Sequence, residues 1–229
     1  MTDVIIEGII QAFHLIFFLD PLIINITLRS LYISGLAVAM ATLWSLPIAI
    51  VLGLKNFPGR RFIRGSFNAF LGVPTVVLGL VLFLILSRSG PLGMLQLLFT
   101  PMAIAIGQAI LITPIVVSFT TGAIEAIDIE LRSLAKTLGA SQIQASTAIL
   151  KEATAGVTLA VVAAFNRAFA ELGVAMMLGG NIHGLTRVLT TSIALETARG
   201  DIAFSIAQGI ILLAIVYAMS ITINYLRRS

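Results

Sequence analysis

The chain contains no cysteine, only two histidines and one tryptophan, and a charged fraction of 10% spread over 229 residues. Without cysteine there is no disulfide, no thiolate metal site and no cysteine nucleophile. His14 and His183 are too far apart in sequence to suggest a metal site. No Gly-rich Walker A loop is present, so the chain does not bind ATP in the P-loop manner. The small basic excess, +4 overall, is not gathered into a face for nucleic acid. The first twenty residues carry Asp3 and Glu7 where a signal peptide would carry Lys or Arg, which argues against a cleaved leader.

What fills the space is apolar: 59% of the residues are hydrophobic and the mean hydropathy is +1.08. A membrane span needs about 20 mostly apolar residues, and soluble domains rarely reach such a composition. The reading is therefore an all-α, polytopic membrane protein. Residues 1–21 form an amphipathic N-terminal segment, too short and too polar at Glu7 and His14 to span, and predicted to lie in the interface. Residues 22–229 form the membrane domain. Five spans are predicted, at about Leu22–Leu54, Phe67–Leu86, Met102–Ile124, Gly156–Leu178 and Ile202–Ile223. Pro47, Pro74 and Pro114 are expected to kink or break three of them, which favours a central pathway over a rigid anchor. Residues 185–200 read as a mixed loop with room for one short helix.

Basic residues set the orientation. Lys55, Arg60, Arg61 and Arg64, then Arg132, Lys136 and Lys151, then Arg227 and Arg228 lie on one side, nine in all. Arg88, Arg187 and Arg199 lie on the other, three in all. The expected topology has the N-terminus outside and the C-terminus in the cytoplasm.

Asp128–Glu152 is a polar island inside this apolar sequence, within a loop at about 125–152. Leu131, Leu134, Ala135 and Leu138 recur at helical spacing. Gly139 sits where a helix stops, since glycine takes a left-handed cap without penalty. Ser141 with Gln144 three residues on is a capping-box spacing that starts a second helix. The island therefore reads as two short helices facing the cytoplasm, either a docking element or an ordinary loop.

Within the spans, Arg167 and Glu171 stand four apart, predicted on one helix face and able to pair. A lone charge at mid-membrane costs roughly 2.5–3.5 kcal/mol, so pairing is expected. The pair serves either a gate or polar pathway, or the register of the helix. Thr75, next to Pro74, and Thr113, next to Pro114, are hydroxyls suited to a passing oxyanion, or they bond back to their own helices. Asn166 is open to the same two readings.

The polar island resembles the cytoplasmic EAA loop of ABC importer permeases. That pattern runs Glu-Ala-Ala, three residues, Gly, nine residues, then Ile-x-Leu-Pro. Gly139 and Ile149 keep the spacing, and Ala135-Lys-Thr-Leu-Gly-Ala-Ser141 is close to a common form of its core. Ser133, Leu134 and Lys151-Glu152 depart from it, and without the leading Glu the resemblance does not extend to that residue's salt bridge. Val73 to Gly93 is similar to the second core span of molybdate and tungstate permeases. Asn166 to Gly184 is similar to their Arg-x-x-x-Glu…Gly-Asn-x-x-Gly segment. With the stretch from Leu185 to Thr197, the similarity is greatest to tungstate permeases.

The resemblance implies a type I ABC importer permease (MetI-like) fold in a prokaryotic inner membrane. It implies a homodimer with the pathway between its copies, surrounded by membrane lipid. Two copies of a cytoplasmic ABC ATPase would hold the ATP and Mg, so this chain binds no cofactor and is no enzyme alone. An extracytoplasmic substrate-binding protein would deliver the oxyanion, tungstate or else molybdate. The coupling loop to the ATPase would comprise Leu131, Leu134, Ala135, Lys136, Leu138, Gly139, Ala140 and Ser141. Two other classes fit less well. A secondary transporter usually shows internal repeats, and none is evident. A membrane enzyme would show a clustered catalytic set, and none is visible.

Overall fold

Asp20 and Pro21 open the first long helix by ordinary capping chemistry. The Asp20 carboxylate accepts from the Leu22 and Ile23 amides at 2.9 and 3.2 Å, and Pro21 fills a position that needs no amide donor. The structure, a computed structural model, describes residues 2–18, 20–137 and 141–226; for 2–5, 7, 128–137 and 222–226 it describes the backbone alone. The described residues form ten α-helices: α1 Thr2–Phe17, α2 Pro21–Leu54, α3 Arg60–Phe70, α4 Thr75–Leu86, α5 Pro101–Thr137, α6 Gln142–Glu152, α7 Thr154–Phe169, α8 Gly173–Gly179, α9 Leu189–Arg199 and α10 Ile202–Leu226.

α2 and α5 form the centre. α2 turns Ile33, Ala37 and Ala41 toward Ile104, Ala105, Ala109 and Ile112 of α5, with Ala164 and Ala168 of α7 closing the cluster. Small residues at helical spacing let backbones approach, which in lipid replaces the hydrophobic drive that water would supply. α4 packs on α8 through Val174 and Leu178. On the other side, α10 lies against α7 and α9 and carries α1, whose Ala12 meets Ala207. The outer face of α1 leaves Ile6, Ile10, Phe13 and Phe17 exposed.

α2, α5 and α10 are each long and apolar enough to cross a bilayer alone, and two bent pairs bring the number to five. The bent pairs are α3 with α4 and α6 with α7, and two expectations about the spans are corrected. The second span is not one helix over 67–86. α3 begins at Arg60, inside the expected basic loop, and meets α4 at 101° after a break at 71–74. The fourth span breaks at 170–172, between α7 and α8. α2 and α5 run unbroken through Pro47 and Pro114; among the three prolines only Pro74 stands at a break, at the N-cap of α4. The polar island is likewise not two short helices, because residues 128–137 continue α5.

Candidate functional site

The two breaks lie side by side, and the charged pair sits at one of them. α7 ends at Phe169, so Glu171 falls beyond the helix that was expected to carry it. Arg167 Nη1 still reaches Glu171 Oε2 at 2.5 Å. The other carboxylate oxygen accepts from the Val174 amide at 3.2 Å, satisfying the start of α8, and the Thr190 hydroxyl donates to the Glu171 carbonyl at 2.8 Å. Glu171 is 3% exposed, whereas the Arg167 side chain is 40% exposed. The carboxylate is thus a buried anchor. A guanidinium has five N–H donors, and one contact leaves the rest of this half-exposed group able to meet an anion.

Thr75, the first residue of α4, faces this break. A methyl group built on Gly173 would lie 2.7 Å from the Thr75 hydroxyl, so only glycine admits the approach. Four positions along, Gly79 is nearly as tight against Met177. The remaining two pathway candidates lie elsewhere. The Thr113 hydroxyl donates to the Ala109 carbonyl and accepts from the Trp44 indole N–H, both at 2.8 Å, tying α5 to α2. Its other surroundings are apolar, a groove of about 250 Å³ bounded by Phe67, Phe70, Val73 and Pro114. Asn166 donates to the Ser220 hydroxyl at 3.0 Å, which directs it to α10. The structure therefore sets Thr75 beside Gly173, two residues from Glu171 and its partner Arg167, and puts Thr113 and Asn166 in helix–helix contacts.

At the end of the bundle that carries residues 55–64, α6 begins with the predicted capping box. The Ser141 hydroxyl accepts from the Gln144 amide at 3.3 Å, and the Gln144 side chain accepts from the Ser141 amide at 2.8 Å. Ala145 and Ile149 are buried, Ile149 against Ile124, while Ile143 and Thr147 face outward. Of the other expected coupling residues, Leu131, Leu134, Ala135 and Lys136 lie on the backbone of α5 with their side chains outside the described residues, and Leu138, Gly139 and Ala140 lie outside the described residues altogether.

Two charge clusters went unread in the sequence. Glu125 of α5 takes both Arg60, at 2.5 Å, and Arg64, at 2.6 Å, from α3. The spacing of Arg60 and Arg64, four apart, was the available signal; their partner lies more than sixty residues on. At the opposite end Arg29 donates to the carbonyls of Gly184 and Arg187 at 2.9 and 3.2 Å, and Glu196 takes Arg187 and Arg199 at 3.5 and 3.3 Å.

Residues 45–229 match the family described as the binding-protein-dependent transport system inner membrane component. The tungstate uptake system permease protein TupB of Peptoclostridium acidaminophilum is 39% identical over 225 residues, covering 98% of this chain and 99% of that one. The molybdenum transport system permease protein ModB of Haemophilus influenzae is 34% identical over 168 residues, covering 68% and 73%. Among solved structures, the inward-facing MetNI methionine ABC transporter superposes with a TM-score of 0.70 at 16% identity, covering 91% of this chain and 97% of that one. The last likeness bears on fold alone.

Proposed function

The chain belongs to the binding-protein-dependent transport system inner membrane component family, and on that premise we propose that it is the permease subunit of an ATP-driven importer of tungstate. One observation carries the choice of anion: the similarity to a tungstate permease runs over almost the whole of both chains, while that to a molybdenum permease covers less of each.

In this reading the protein works as a homodimer with the translocation path between its copies. The outward face of α4, with Val76, Val77, Leu80, Val81 and Leu84 exposed, offers the second copy an apolar surface. An extracytoplasmic binding protein hands over the anion at the end carrying Arg29, Arg88 and Arg199. Two cytoplasmic ATPase subunits, holding ATP and Mg, meet residues Leu131–Ser141 and the exposed face of α6 at the other end. The C-terminus is cytoplasmic and the N-terminus outside.

Thr75, Arg167 and Glu171 form the polar point of the path. Glu171, buried, holds Arg167 in place, and the free donors of Arg167 meet the oxyanion as it passes, charge to charge, without a site tight enough to trap it. Thr113 and Asn166 act from behind as ties that hold α5 and α7 to their neighbours. Selection of the anion falls chiefly to the binding protein.

The decisive test is calorimetry of the cognate binding protein with tungstate, molybdate and sulfate, followed by uptake of the bound anion by the assembled transporter. Tungstate is expected to bind most tightly and to be imported. Preference for molybdate would reassign the anion, and uptake without ATP would remove the importer reading.

A further inference from the structure

We propose that Glu125 is the positioning residue through which movement of the coupling segment reaches the bent α3–α4 span, with Arg60 and Arg64 as its partners; this rests on the coupling role assigned above to residues 128–152. α3 has no buried residue, so packing alone does not fasten it to the bundle. Ionic contacts do. Arg60 Nη2 reaches Glu125 Oε1 at 2.5 Å, and Arg64 Nη1 lies 2.8 Å from Oε1 and 2.6 Å from Oε2. Arg60 also uses its other nitrogens: Nε donates to the Leu52 carbonyl near the end of α2, and Nη1 to Asn56 Oδ1, both at 2.6 Å. The rigid, planar fork of arginine suits this kind of three-way hold. The Glu125 and Arg60 side chains are 23% and 22% exposed, so the cluster is only partly screened by water.

The position of Glu125 on α5 gives the hold its direction. α5 is continuous from Pro101 to Thr137, and Glu125 precedes Asp128 by about one helical turn. A push on residues 128–137 therefore displaces Glu125 with the same rigid rod. The other half of the coupling segment, α6, joins α7 directly at Ala153 with a 51° bend. Two routes result. The covalent one moves α7 and α8; the ionic one moves α3 and, across the 71–74 bend, α4. They converge where Thr75 lies so near Gly173 that no Cβ would fit between them. Without the ionic route, α8 would shift while α4 lagged, and ATP would be spent without transport.

The test uses the complete transporter, permease with ATPase and binding protein, in proteoliposomes, and reads ATP hydrolysed per anion imported. Glu125→Gln should assemble in normal amount and raise that ratio about fivefold or more, the low end for loss of a coupling free energy between sites. A purely structural anchor would instead lower the amount of assembled complex at an unchanged ratio. Glu125→Arg should be worse, and adding Arg64→Glu, which restores two positive groups and one negative, should bring the ratio back toward that of the unaltered protein. An unchanged ratio in Glu125→Gln, or no recovery in the exchanged pair, overturns the proposal; should Glu125→Gln fail to insert, the exchanged pair decides alone. Gly139→Pro is the separate arm for the coupling segment. If it couples normally, the coupling reading itself falls, whatever Glu125 does.

Discussion

Arg167 and Glu171 share one ion pair but differ in exposure, 40% against 3%, and the difference fixes what each deletion does. Removing the arginine leaves a buried carboxylate whose charge nothing balances; removing both leaves no charge. Arg167→Ala is therefore expected to be less stable than Arg167→Ala with Glu171→Ala, by about 2 kcal/mol, below the full penalty for a buried pair because the arginine is half in the open. Thermal unfolding in detergent measures it. Thr113 allows a second comparison. Thr113→Val removes the acceptor of the Trp44 indole and should cost roughly 1–2 kcal/mol. Trp44 is the one tryptophan in the chain, so its emission reports the change directly. In sequence Thr75 and Thr113 look alike, each beside a proline. Their difference was not legible there, because it depends on Trp44, 69 residues from Thr113, and on Gly173, far along the chain from Thr75.

Helix starts were legible where a local rule governs them. Ser141 with Gln144 caps α6 as its spacing predicts. Ser141→Ala should loosen the first turn of α6 by about 1 kcal/mol, visible as several-fold faster amide exchange there, with membrane insertion unchanged. If exchange in α6 does not change, the capping box contributes little. The breaks were not legible, for a different reason. Hydropathy averages composition and is blind to backbone direction, and Leu71-Gly72-Val73-Pro74 and Ala170-Glu171-Leu172 interrupt apolar stretches without making them polar. Pro74 could have marked the first break, but Pro47 and Pro114 sit within continuous helices, so proline alone does not discriminate. Nothing local separates residues 128–137 from a short independent helix; only the continuity of α5 does.

For the molecule as a whole, the all-helical class and the membrane setting followed from composition, since so apolar a chain must satisfy its backbone internally. The pairing of α4 with α8 did not follow, because it depends on where two distant breaks meet. With no phosphate-binding loop in the chain, the permease purified alone should hydrolyse no ATP, and hydrolysis should appear only when the ATPase subunit is added; a phosphate-release assay distinguishes the two.

The contact of Gly173 with Thr75, and that of Gly79 with Met177, also limits how the molecule can move. At both glycines the gap is narrower than a Cβ needs, and repulsion rises steeply inside van der Waals distance, so little room is left to come closer. The two broken spans thus rest against a hard stop, and any departure from this state must part them or slide them past each other. Movement at this point therefore has far more room to open the seam between α4 and α8 than to tighten it.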